Sequence, residues 1–214
     1  MKRLLILFIS LLSLSMLVFS QEEGRLLRFP AIYEDQVVFT YAGDLYTVSA
    51  DGGVARKLTN HVGVEIFPRF SNNGEWIAFT GQYDGNTEVY IMPSIGGKPE
   101  RITYTATLGR DDVSDRMGPN NLVIGWTPDD KNVLFRSRMN EFNSFKGHLF
   151  LAPVDGNIHT QLPLPRGGFL HILLMGNSLH TTGFSVNSEL GKNIEAEWPM
   201  KFPYMILKQK RQKQ

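Results

Sequence analysis

The sequence predicts an all-β protein, a partial β-propeller of about three four-stranded antiparallel blades. Three observations predict it: a short text that recurs along the chain from Arg28, apolar residues that alternate within each copy, and Asp-Gly or Asn-Gly pairs between the alternating runs. Four short strands in roughly forty residues is blade spacing. Length and composition allow it. The 214 residues are 42% apolar and 20% charged, enough for a sizeable core. A net charge of +1 gives no reason to expect nucleic acid. The absence of cysteine excludes disulfides, thiolate metal sites and a cysteine nucleophile.

Residues 1–20 read as a signal peptide. Lys2 and Arg3 give a positive start, Leu4 to Leu12 and Leu14 to Phe19 an apolar run, and Ser20 a small residue before the polar Gln21-Glu22-Glu23. That order is the architecture of a Sec-type signal. The competing reading, an uncleaved anchor, rests on an apolar stretch near the length of a bilayer span. Either way the remainder is expected outside the cytoplasm, periplasmic or extracellular, with no membrane contact once the signal is cut.

The first copy runs Phe29-Pro30, Asp35 to Phe39, Gly43 to Val48, Asp51-Gly52-Gly53 and Lys57-Leu58-Thr59. The second runs Phe67 to Ser71, Asn73-Gly74, Glu75 to Phe79, Gly85 to Ile91, Gly96-Gly97 and Arg101-Ile102-Thr103. The third runs Ile124 to Asp130, Asn132 to Phe135, Gly147 to Leu151, Asp155-Gly156 and Gln161-Leu162-Pro163. Trp76 and Ala78 on one face, with Ile77 and Phe79 on the other, suit a strand buried between two layers. The Asx-Gly pairs tolerate positive φ and mark tight hairpins. Phe39 to Phe79 spans 40 residues, whereas Phe79 to Phe135 spans 56. Two insertions supply the surplus, Thr105 to Pro119 and Arg136 to Lys146. Long loops in repeat proteins commonly share a face and carry binding.

These copies resemble the blades of TolB-type and tricorn-type propellers. The stretches that carry the likeness are LLRFPAIYEDQVVFTYAGDLYTVSADGG at 26–53, HVGVEIFPRFSNNGEWIAFTGQYDGNTEVYIMPSIGG at 61–97 and WTPDDKNVLFRSR at 126–138. The opening GRLLRFPAI and the insertion RDDVSDRMGP at 110–119 make it more similar to the N-terminal propeller of tricorn protease homologues. The resemblance covers about 25–168. It implies a non-catalytic propeller fragment of an exported serine protease, with a role in gating peptide substrates or scaffolding their proteolysis. In that family the catalytic residues lie in a later domain, so no catalytic residue carries over. The implied partners are peptides or unfolded protein segments, with a homo-oligomer for the full-length family; no cofactor is implied. Two alternatives are a stand-alone periplasmic TolB-like interaction propeller and a propeller attached to a prolyl-oligopeptidase-like hydrolase.

After Gly168 the repeat text stops, and 169–214 reads as an aberrant or disordered tail. Back-translated and read one base out of phase from within the Leu170 codon, the tail permits a fourth blade strand with its Asp-Gly turn. The expectation is a frameshift that truncated a longer protein, and the nucleotide sequence beyond the Gly168 codon tests it.

Few residues read as site candidates. His61, His148, His159, His171 and His180 show no metal spacing. His148 stands where the other copies have Asp44 and Glu88, and reads as a surface residue at a strand start. Asp111, Asp112 and Asp115, with Asn120 and Asn121, match no calcium loop, so no metal is assigned. Ser114, Ser137 and Ser144 read as loop serines with no base partner and no Gly-x-Ser-x-Gly elbow. The basic run Lys208, Lys210, Arg211 and Lys213 reads as solvated. Arg136 and Arg138 are the substrate-binding candidates. Beside the insertions, with Arg110 and Arg116, they could hold peptide carboxylates in bidentate fashion, provided the two loops share a face. The competing reading pairs these arginines with Asp111, Asp112 and Asp115.

Overall fold

A computed structural model describes residues 26–106, 118–140 and 147–163, and the backbone of four strands within 170–209. Blade 1 is built from β1 (Arg28–Tyr33), β2 (Gln36–Tyr41), β3 (Asp44–Ser49) and β4 (Arg56–Lys57). Blade 2 follows with β5 (Glu65–Phe70), β6 (Trp76–Gly81), β7 (Glu88–Pro93) and β8 (Glu100–Arg101). Blade 3 has β9 (Asn121–Trp126), β10 (Asn132–Ser137), β11 (His148–Pro153) and β12 (Thr160–Gln161). Each is an antiparallel meander of consecutive strands, as the repeat predicts. The segment set apart as a tail contains a fourth such meander, β13 (Leu170–Met175), β14 (Ser178–Gly183), β15 (Ile194–Glu197) and β16 (Ile206–Gln209). Its side chains, residues 1–20, where a signal peptide is expected, and most of both insertions lie outside the described residues.

Period-two alternation decides which blade each side chain meets. Ile77 and Phe79 of β6 join Val38 and Leu45 of blade 1, together with Tyr90 and Met92 of β7. Ala78, Val89 and Ile91 point the other way, to Val123, Val133, Phe135 and Phe150 of blade 3. Blade 2 therefore buries both faces, which is why β6 and β7 read as continuous apolar runs. Alone, such a blade would leave both faces in water, at about 25 cal/mol per Å² of apolar surface.

The first strand of each blade carries an interruption. Ladder register shifts within β1, β5 and β9. In β1 and β5 the shift falls at Phe29-Pro30 and Phe67-Pro68, with positive φ of 53° and 56° at the two phenylalanines. Proline cannot donate to a ladder, so it belongs where pairing is already broken. The two bulged rings meet with centroids 4.1 Å apart, so neighbouring blades touch through the bulge itself.

Hairpins interlock at the opposite end of the blades. Gly74, at φ 72°, lies under the Tyr33 ring of blade 1; a Cβ there would sit 2.1 Å from the ring. Asp130 of blade 3 accepts from the backbone N–H of Asn72 at 2.7 Å, its side-chain amide at 2.6 Å and the N–H of Asn73 at 3.0 Å. These charge-assisted bonds join the hairpins of blades 2 and 3. Being solvent-exposed, they contribute modestly. Asp130→Ala is expected to cost about 1 kcal/mol, read as a lower urea midpoint at an unchanged m-value.

Candidate functional site

The candidate rim is the end of the blades where each first strand begins, each second strand ends and each third strand begins. Register fixes this. Glu65 pairs with Gly81 and Gly81 with Glu88 in blade 2, and Asn121 with Ser137 and Ser137 with His148 in blade 3. The insertion before β9 and the insertion between β10 and β11 therefore leave blade 3 from the same end.

Arg136 and Arg138 sit at the root of both insertions, and both are buried, at 2% and 0% exposure. Arg138 donates from Nε to Asn120 Oδ1 at 3.0 Å and from Nη2 to Gly118 O at 2.7 Å. It ties the end of the first insertion to the start of the second. Arg136 occupies the place of Thr40 in β2 and Thr80 in β6. Those threonines donate to the carbonyls of Glu65 and Asn121, the first residues of the next blade's inner strand. Burial, and then the neighbouring charge of Arg138, push the Arg136 guanidinium down to about 10. Arg110, Arg116, Asp111, Asp112 and Asp115 lie outside the described residues.

A second assembly on this rim was not foreseen. Glu88 is fully buried and accepts hydrogen bonds at both carboxylate oxygens. Arg101 Nη2 at 2.9 Å, Asn86 Nδ2 at 2.8 Å, Thr105 N at 2.6 Å and Thr105 Oγ1 at 3.0 Å meet Oε1. Thr103 Oγ1 at 2.5 Å and Asn121 Nδ2 at 3.1 Å meet Oε2. Asn121 belongs to blade 3, so the carboxylate spans a seam. In blade 1 the same position is Asp44, bridged to Lys57 at 2.7 Å. The expectation of a surface position at these strand starts is corrected: Asp44 and Glu88 are buried and His148 is half-buried. The cause is the segment after each fourth strand. It folds back over the start of the third strand, where Thr59 and Thr103 accept from the Leu45 and Val89 N–H groups. The Thr and Arg spacing in Arg101-Ile102-Thr103 and Lys57-Leu58-Thr59 was the available signal.

The serine reading also changes in part. Ser137 is the last residue of β10, not a loop residue; it is buried, and its Oγ accepts from the Met139 N–H at 3.2 Å. Among the described residues no group of three His, Cys, Asp or Glu side chains could hold a metal. Asn120 and Asn121 are engaged as described above, and the three aspartates lie outside the described residues. No described helix is long and apolar enough to cross a membrane.

Comparison with known proteins agrees with this architecture. Residues 24–193 match the family model of the tricorn protease N-terminal beta propeller domain, a match that continues past Gly168. Tricorn protease homolog 1 of Streptomyces coelicolor is 31% identical over 137 residues, 64% of this chain and 12% of the relative. The crystal structure of the tricorn protease superposes with a TM-score of 0.59 at 25% identity, over 73% of this chain and 15% of that one. TolB from Acinetobacter baumannii gives 0.58 at 17% identity, over 86% of this chain and 43% of that one. The chain thus spans about an eighth of the length of the curated homologue it matches.

Proposed function

Because the chain belongs to the family of the tricorn protease N-terminal beta propeller domain, we propose that it is a non-catalytic propeller segment of an exported tricorn-like serine protease, where it gates or holds peptide substrate. The observation that carries this reading is the shared exit of both insertions from one end of blade 3. Two loops rooted side by side at one end of a blade place both of their segments within reach of one extended peptide. Arg136 and Arg138 hold that root; their charge sets a positive field for a peptide carboxylate at the loops. The partners are peptides or unfolded protein segments, the compartment is periplasmic or extracellular, and the full-length protein is a homo-oligomer. The proposal that the reading frame shifts after Gly168 stands beside it, tested by the nucleotide sequence.

The binding test is fluorescence anisotropy of labelled unstructured peptides against the purified chain. Replacing 141–146 with a short Gly-Ser turn is expected to weaken binding about tenfold, roughly 1.4 kcal/mol, with no peptide hydrolysis before or after. Arg136→Ala and Arg138→Ala, whose side chains are buried, are compared at matched folded fraction. Unchanged affinity in the loop variant removes the gating reading. Binding to a folded protein and none to unfolded peptide would favour the stand-alone interaction propeller.

A further inference from the structure

The two described seams share one plan and differ in the residue that enters the polar cluster. At each, the first residue of an inner strand is buried and takes a threonine hydroxyl on its carbonyl, Glu65 from Thr40 and Asn121 from Thr80, both at 3.0 Å. At each, its side chain enters the polar cluster of the preceding blade, around Asp44 and Thr59 or around Glu88 and Thr103. The second seam meets its buried carboxylate with an amide, Asn121, which donates to it at 3.1 Å. The first seam sets a carboxyl, Glu65, near the carboxylate of Asp44.

Glu65 is fully buried. Thr59 Oγ1 donates to its Oε2 at 2.8 Å and accepts from the Leu45 N–H, so the one hydroxyl proton is committed. Among the described residues Oε1 accepts no hydrogen bond. The nearest cation, Lys57, is bound to Asp44 at 2.7 Å and half-exposed. Asp44 also takes the His61 N–H at 3.3 Å. From blade 2, the Tyr83 hydroxyl lies beside the carboxyl without the geometry of a hydrogen bond. Tyr83 meets the His61 ring in a tilted contact at 4.6 Å and Tyr90 edge-on at 4.6 Å. Behind Tyr90 stand Asp84, Glu88 and Arg101, with Arg101 bridged to both carboxylates. Every charged neighbour except Lys57 and Arg101 is therefore acidic, and both of those cations are already taken.

We propose that the seam between blades 1 and 2 is a proton-operated joint, held shut by neutral Glu65 and loosened when Glu65 and Asp44 are charged together. In its neutral form Glu65 does what Asn121 does at the second seam: it fills a buried polar slot without adding charge. Deprotonated, it is a buried anion with one hydroxyl donor. Burial first, and then Asp44, raise the Glu65 carboxyl to about 7, against the Thr59 hydrogen bond, the nearby Tyr83 hydroxyl and the pull of Lys57. The folded chain thus holds this proton more tightly than the unfolded chain. The stabilisation is complete below the ordinary value of 4.5, is lost as pH rises to about 7, and is level above.

The test compares the chain with Glu65→Gln, which puts an amide at the first seam. Thermal melts from pH 5 to pH 8 are expected to show the unaltered chain losing about 5 °C relative to Glu65→Gln. Amide exchange at Leu45 and Glu65, corrected for intrinsic rate, is expected to speed up in that range in the unaltered chain alone. Parallel melting profiles overturn the joint. Should Glu65→Gln fail to fold, carboxyl carbon NMR of the unaltered chain decides. A midpoint near neutral, accompanied by faster seam exchange, supports the joint, and titration near the ordinary carboxylate value overturns it.

Discussion

Glu88→Ala is expected to remove about 3–5 kcal/mol of stability, the cost of breaking a buried ion pair from one side. The loss is larger than the Arg101 bridge alone suggests. Asn86, Thr103, Thr105 and Asn121 all aim donors at this carboxylate, and alanine leaves them facing a cavity without an acceptor. Because domains carry only about 5–15 kcal/mol in total, the variant should populate unfolded chain without denaturant. Urea titration followed by tryptophan fluorescence measures it; Trp126 reports on the seam directly, since its indole N–H donates to Arg69 O at 2.9 Å. Glu88→Gln is expected to recover part of the loss, because one amide oxygen can still accept. A midpoint within experimental error of the unaltered chain would show that the cluster contributes nothing net.

Phe79→Ala is expected to cost about 3–4 kcal/mol through lost transfer energy and the cavity left behind. Phe79 is fully buried between the first two blades, its ring 5.9 Å from Tyr90 and 6.4 Å from Tyr83. Most of the surrounding wall is strand, so little of that space can be refilled by relaxation. The seam should loosen before the blades do, so binding of a fluorescent apolar dye is expected to rise at denaturant concentrations where far-ultraviolet circular dichroism is unchanged. Coincident loss of both signals would mean that the blades and the seam melt as one unit.

What could be read without coordinates follows from period two. Ile77 and Phe79 against Trp76 and Ala78 already told that β6 has two buried faces, and the clusters divide along that line. The Asx-Gly pairs located the hairpins for the same local reason. Glu65 and Glu88 were not legible. A carboxylate before an apolar run looks like a solvated strand end, and the Thr59 and Thr103 that cover these two carboxyls are marked only by their recurrence after Lys57-Leu58 and Arg101-Ile102. The burial of Arg136 and Arg138 was not legible either: they stand beside insertions, but the ladder position of Arg136 is that of Thr40 and Thr80, inside the wall. The segment after Gly168 defeats pattern reading because its strands lack the Asx-Gly punctuation, although its backbone pairs as a meander.

Among the described residues, ladder hydrogen bonding stays within the sheet in which it starts. Contacts from one blade to the next run through side chains and a few backbone groups at the rims, such as the Thr80 hydroxyl on Asn121 and the Asp130 carboxylate on Asn72. Gene duplication or loss of one forty-residue unit therefore rewrites no strand pairing. It needs only two surfaces to be matched afresh, and divergence between copies is tolerated wherever those surfaces are not touched. Glu65 and Asn121 hold the same place at their two seams with different chemistry, which such a separation of ladder from seam allows.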